Sequence, residues 1–485
     1  MIASSTLSKL KSIVGQDNFF DSPEHKLVYS YDGTPLLSQL PVAIVRPQSK
    51  EQISSIVQLA NNERFAVVPR GSGSGLSGGS IPTDDSIVLL TNHWNKILEI
   101  DQRNLTAWVE PGVITAQLQA EVESLGLFYP PDPGSAAIST LGGNVAENAG
   151  GLRGLKYGVT KNYILGMEVV LPNGDVVLLG GKSVKDVAGY NLKDFLIGSE
   201  GTLGIYTKIL LKLIPKPETS STMLVFFDKL TDAAETVSDI IASRISPAAL
   251  EFLDNTTIRC VENYAHLGLP TTIEALLLIE VDGHPLVTKE DEEKIAVLCK
   301  KHYALEVKIA QDNEEAAKLR SARKVAFSAL ARVRPTTILE DVTVPRSEIV
   351  SMLDKIQSIA KKYSLQFGNF GHAGDGNLHP TCLTDERDIS EIHQAEKAFD
   401  EIFTEAVRLG GTITGEHGVG LAKRQFLEKL TPSPAIEMMR QIKKVLDPNA
   451  VLNPGKIFSL KPRCEGPMPK NPEQIKKYLD AGAFT

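Results

Sequence analysis

The sequence predicts an α+β protein built from two domains. Three observations carry this expectation. The chain has 485 residues, more than one ordinary core organises. Strand-type and helix-type hydrophobic patterns interleave along it. Composition breaks at 211–221, LKLIPKPETSS, where two prolines precede small polar residues. The first domain is therefore placed over 1–218, the second over 219–446, and a C-terminal segment over 447–485.

The start, MIASSTLSKLKSIVG, puts Leu7, Leu10, Ile13 and Val14 on one face of a short helix and lacks the apolar core of a signal peptide. PVAIVRP (41–47) reads as a buried strand closed by proline, and EQISSIVQLAN (51–61) spaces Ile53, Ile56, Val57 and Ala60 as a helix does. FAVVP then runs as a β-branched strand into a glycine loop. SIVLLT (86–91) and TAWVEPG (106–112) follow as strands, and ITAQLQAEVESLG (114–126) as an amphipathic helix stopped by Gly126. In MEVVLPNGDVVLLGG (167–181) two β-rich runs flank Asn173-Gly174, the pair a tight hairpin turn prefers.

The second domain reads as MLVFFD (223–228), a helix over 231–243, the strand EALLLIEVDG (274–283) and a charged helix starting near Lys289. Its EDEE run (290–293) is expected as a solvated first turn, favoured by the helix dipole. The alternation predicts an antiparallel sheet with helices on one face.

Apolar residues at 42% and charged residues at 23% are ordinary globular proportions and argue against wholesale disorder. A formal charge of −8 and the lack of a basic stripe argue against a nucleic-acid partner. Cys260, Cys299, Cys382 and Cys464 are far apart with no C-x-x-C, so neither an iron–sulfur cluster nor a cysteine zinc site is encoded. No apolar run reaches the ~20 residues of a membrane span. A cytoplasmic location is expected.

PRGSGSGLSGG (69–79) follows a strand, as a dinucleotide fingerprint does, but no clear helix or acidic strand end comes after it. Its glycines would let consecutive backbone N–H groups face a pyrophosphate. Taken alone, the loop reads equally well as a turn-rich connection. TLGGNVAENAGGLRGLKYG (140–158), with Asn144 and Asn148 interleaved, and GSEGTLGI (198–205) are two further loops of this kind. Asparagine amides suit an isoalloxazine edge or a ribityl chain. Three such loops in one domain point to a bound ligand.

GNFGHAGDGNLHP (368–380) sets His372 and His379 around a Gly-Asp-Gly core that folds the segment back. TGEHGVG (414–420) adds Glu416 and His417. Each histidine alone would read as a local hydrogen bonder. Grouped, two imidazoles and a carboxylate make a three-ligand metal set with open positions. Because neighbouring side chains diverge on an extended segment, one of Glu416 and His417 can face the metal and the other the substrate pocket.

The three glycine segments, with PPDPGS (130–135), resemble the vanillyl-alcohol-oxidase type of FAD domain. Within it they are similar to the branch of glycolate dehydrogenase flavoprotein subunits, D-lactate dehydrogenases and D-2-hydroxyglutarate dehydrogenase. The resemblance runs from about residue 20 to about 460. It implies a two-subdomain FAD-binding domain and an antiparallel-sheet α+β cap, with the C-terminal segment returning to the FAD domain. It implies FAD contacts at Pro69, Arg70, Gly71, Ser72, Gly73, Ser74 and Gly75, at Gly142, Gly143, Asn144 and Asn148, and at Gly201 and Ile205. Positions 71–79 hold no histidine or cysteine, so the FAD is expected to be non-covalent.

His372, His379 and Glu416 match the family's metal ligands, zinc being the first expectation and manganese or iron the alternatives. His417 matches its active-site base. Arg323, by itself a helix-surface charge, matches the arginine that holds the substrate carboxylate. ILEDVTVP (338–345) lacks the lysine of the hydroxyglutarate branch, and Thr381 stands in place of its asparagine. Both departures point to D-lactate or glycolate, oxidised to the 2-oxo acid, with D-2-hydroxyglutarate as the alternative.

Electrons would pass to a non-NAD acceptor: an iron–sulfur or other electron-transfer subunit, a quinone or a cytochrome. That acceptor could place the chain at a membrane periphery, and a homodimer is compatible with the family. A metal-dependent hydrolase and a non-catalytic flavoprotein subunit are the rival classes.

Overall fold

The computed structural model describes residues 2–459, so Cys464 and the 460–485 part of the C-terminal segment lie outside the described residues. In the N-terminal half, Phe19–Phe20, Ala43–Val45, Ser86–Leu90 and Ala66–Arg70 form a four-stranded sheet in that order, with the last three strands parallel. Parallel strands are covered on both faces, which is why these runs are almost wholly apolar and buried. The helix Lys50–Glu63 packs on them through Ile53, Ile56, Val57 and Ala60. Ser49 Oγ caps it by accepting from Gln52 N at 3.3 Å, and Arg64 ends it at a left-handed φ of 60°.

A five-stranded antiparallel sheet adjoins, in the order Ile97–Asp101, Thr106–Val109, Ile205–Lys212, Ile164–Val170, Val176–Gly180. A hairpin does form around Asn173-Gly174, but through a longer connection over 171–175 in which Gly174 N bonds Leu171 O at 2.9 Å, so Pro172 and Asn173 are the central pair and Gly174 follows at φ 89°. The strand Ala66–Arg70 leads into the glycine loop without an ensuing helix. Leu452, late in the described chain, forms a parallel bridge with Val67, so the C-terminal segment braces the strand that presents that loop.

Leu127–Phe128 and Ile214–Pro215 pair as a small two-stranded sheet, and eight further strands build one antiparallel sheet, in the order Glu306–Ile309, Thr219–Phe227, Ala275–Gly283, Ala249–Asp254, Gln366–His372, Asn377–Thr384, Thr336–Leu339, with Val342–Thr343 also paired to Asn377–Thr384. Helices cover both of its faces, not one as the alternation suggested. Met223, Val225 and Phe227 pack under Leu230–Ala242 and Pro285–Lys301, while Leu224 and Phe226 pack under Asn255–Ala265 and Asn313–Lys324. The unbroken apolar runs MLVFF and LLLI are the mark of strands buried on both sides. The charged helix begins at Pro285, so EDEE lies beyond its first turn and the dipole argument does not apply to it. Among the described residues no helix is long and apolar enough to cross a membrane.

Candidate active site

A cleft of about 980 Å³ opens between the glycine loops and the large sheet. One wall consists of residues 69–75, 142–144, Gly201 and Ile205; the other carries Arg323, His372, His379, Glu416 and His417. Every expected site residue except Asn148 lies on this cleft. Asn148 closes the helix Leu141–Glu147 at a left-handed φ of 55°, and its Oδ1 accepts from Lys161 N at 2.9 Å. Asn144 borders the cleft, but its amide nitrogen donates to Thr115 Oγ1 at 2.7 Å. Both asparagines brace the segment.

The first loop approaches too closely for side chains. A Cβ on Gly71 would meet the Thr140 hydroxyl, and Gly73, at φ +73°, lies under the Arg70 guanidinium. Arg70 is buried; its Nη1 donates to Tyr31 O at 2.7 Å, and its Nε has no hydrogen-bond partner. An unspent guanidinium N–H beside a glycine loop suits a phosphate-bearing ligand.

Opposite, Gln366–His372 and Asn377–Thr384 form the hairpin that Gly-Asp-Gly foretold, with Gly376 at φ 84°. Phe370 pairs with His379 and His372 with Asn377, so the two histidines are diagonal neighbours on one face. Their rings lie 5.2 Å apart at 88°. Glu416 Oε1 sits 3.3 Å from His372 Nε2 and 3.4 Å from His379 Nε2. The three ligand atoms lie within 4.8 Å of one another, a span one divalent ion could share.

Glu416 and His417 do not diverge. The 415–417 segment bends instead of extending. His417 therefore stacks on His379 at 5.2 Å and 15°, with its Nε2 3.6 Å from Glu416 Oε1. The imidazole thus borders the ligand set itself.

Three residues that the sequence left unnoticed hold this arrangement. Glu251, wholly buried, accepts from Arg323 Nε at 2.7 Å and meets His372 Nδ1 at 2.7 Å. A glutamate flanked by apolar residues in the middle of the buried strand Ala249–Asp254 was the available signal. Asp341 accepts from Gly415 N at 2.6 Å and Glu416 N at 2.9 Å, and lies 3.5 Å from His417 Nδ1. Lys423, also wholly buried, bonds Asp341 and lies 3.2 Å from Glu340.

The electrostatics follow from these partners. Burial alone would lower the His372 pKa, but Glu251 and Glu416 raise it well above the ordinary value. Burial lowers His379 far below its usual value, with Glu416 opposing and His372 assisting. Burial would raise Glu416, yet His372 and the other imidazoles hold it well below the usual carboxylate range. Burial lowers His417, while Asp341 and Glu416 raise it and prevail. Asp341 is driven low, chiefly by Lys423 working against burial.

Residues 41–180 match the family described as FAD binding domain, and residues 216–457 match FAD linked oxidases, C-terminal domain. The "Glycolate oxidase subunit GlcD" of Bacillus subtilis (strain 168) is 54% identical over 459 residues, covering 95% of this chain and 98% of that protein. The chain belongs to the FAD-linked oxidases.

This FAD-linked oxidase is also 35% identical over 430 residues to a D-lactate dehydrogenase of Anaerostipes hadrus, across 86% of this chain and 89% of the relative. Its fold is shared with p-cresol methylhydroxylase in a substrate-bound crystal structure, at a TM-score of 0.80 and 19% identity over 94% and 97% of the chains. As an FAD-linked oxidase it is an FAD-dependent oxidoreductase. The glycine cradle and the unspent Arg70 Nε are features that such a cofactor would use.

Proposed function

We propose that this enzyme oxidises a small D-2-hydroxy acid, D-lactate or glycolate, to the 2-oxo acid. The observation that carries the reading is that one cleft brings a guanidinium, a three-ligand set and an imidazole to face the glycine loops. The names of the relatives support it. Bound FAD would supply the hydride acceptor, and a divalent ion, zinc first, would supply a Lewis acid.

The side chains divide the remaining tasks. Arg323, fixed through Nε by Glu251 and lying 4.6 Å over the Phe370 ring, keeps its terminal nitrogens for the substrate carboxylate. His372, His379 and Glu416 would hold the ion, with Glu251 orienting His372 from behind. His417 takes the hydroxyl proton as the Cα–H leaves with its electron pair, and Asp341, 3.5 Å from its Nδ1, supplies a counter-charge to that imidazole.

The cation beside Glu340 and Asp341 is Lys423, which their carboxylates already engage, and Thr381 spends its hydroxyl on His379 O, so neither position offers a cation for a second carboxylate, which favours the small substrates over hydroxyglutarate. FAD is held without a covalent bond, since 71–79 contain no histidine or cysteine. Electrons leave for an acceptor other than NAD, and the subunit named in the relative supports a partner polypeptide. An anaerobic panel of D- and L-2-hydroxy acids added to the purified yellow protein tests the reading. D-lactate or glycolate should bleach the flavin fastest; failure of every member of the panel would reject it.

A further inference from the structure

One half-buried acid has no task in the scheme above. Glu147 ends the helix Leu141–Glu147 and reaches the cleft between its two walls. A Cβ on Gly79 of the first glycine loop would fall 2.7 Å from its Oε1, and a Cβ on Gly418, next to His417, would collide with its Oε2. Both glycines therefore leave room for this carboxyl. Its Oε2 is inaccessible and has no hydrogen-bond partner.

The charged and titratable neighbours are engaged elsewhere. Glu200 accepts from Val419 N and Gly420 N at 2.7 Å each. Asp32 accepts from Thr34 N at 2.9 Å and Ser80 N at 3.3 Å. Lys456 turns its ammonium to Ile81 O, and Tyr206 gives its hydroxyl to Leu196 O at 2.5 Å. Burial, then Glu200 and Asp32, raise the Glu147 pKa well above the ordinary range, and Lys456 offsets only part of this. Cofactor phosphates over the first loop would act in the same direction.

We propose that Glu147 is a further cofactor contact, whose carboxyl donates a hydrogen bond to bound FAD. A carboxylate in this place would repel the cofactor's phosphates, whereas the acid form supplies a donor. The proposal rests on FAD occupying the cleft and is independent of which hydroxy acid is oxidised.

Titration of flavin-stripped protein with FAD, followed by flavin fluorescence from about pH 6 to about pH 9, tests it. Binding that needs the proton should weaken by about tenfold per pH unit above the titration of the acid. Glu147→Gln, which keeps a donor and cannot ionise, should bind as tightly as wild type near pH 6 and stay flat with pH. Glu147→Leu should bind more weakly near pH 6. A glutamine variant with the wild-type pH dependence, a flat wild-type profile, or a leucine variant as tight as wild type would each overturn the proposal. Wild-type protein that takes up no FAD at all would remove its premise as well.

Discussion

Replacing Glu251 with glutamine keeps the shape of the side chain and removes its charge. Glu251 is fully buried and accepts from Arg323 Nε and His372 Nδ1, both at 2.7 Å. Glutamine offers one acceptor and one N–H donor, so one of these two N–H groups must face another. Breaking a buried charged pair from one side costs about 3–5 kcal/mol. Losing the carboxylate behind a ligating histidine typically lowers metal affinity by about 10–100-fold. Glu251 does not border the cleft, so FAD affinity should be unchanged. Thermal melting, competition of zinc against a chromogenic chelator and single-turnover flavin reduction with D-lactate would be compared. The expected result is a lower Tm, metal weakened by ~10–100-fold and slower reduction, with normal FAD content. A variant with wild-type metal affinity and wild-type reduction would refute the role given to Glu251.

Three further outcomes follow from the same geometry. His417→Asn should slow flavin reduction by ~10²–10⁴-fold in single turnovers while FAD binding holds; equal rates would remove His417 as the base. Arg323→Lys loses the planar fork and should raise the KM for D-lactate by ~10–100-fold, the worth of a charge-assisted hydrogen bond. An unchanged KM would assign the carboxylate to another group. Asp341 raises the His417 pKa above 6.5, and a base must be unprotonated, so kcat/KM should rise with pH through that raised value. Asp341→Asn should move this acid limb to lower pH, and a limb that stays in place would contradict the contact.

The parts of the site that were legible in the sequence are those whose chemistry is local. Val67 and Val68 running into Gly71 show both a strand and a loop on the same stretch, and Gly374 to Gly376 mark a turn that returns His379 beside His372. The rest depended on meetings distant in the chain. Glu251 and His372 are separated by 121 positions, and Lys423 and Asp341 by 82, and no pattern in either segment names the other. The convergence of Glu416 and His417 was missed because the bend at 415–417 is set by backbone N–H groups bonded to Asp341, a tertiary contact that overrides an extended reading. Helices on both faces of the large sheet could have been read from LLLI and MLVFF, since strands with one wet face alternate.

The most direct test of the central claim is single-turnover flavin reduction by D-lactate or glycolate in metal-stripped holoprotein, before and after one equivalent of zinc, manganese or iron. Stripping should abolish rapid bleaching while the flavin remains bound, and one of the three ions should restore it, but not in His379→Ala. Rapid bleaching that persists in protein shown to be free of metal would contradict a hydroxyl-activating ion at His372, His379 and Glu416.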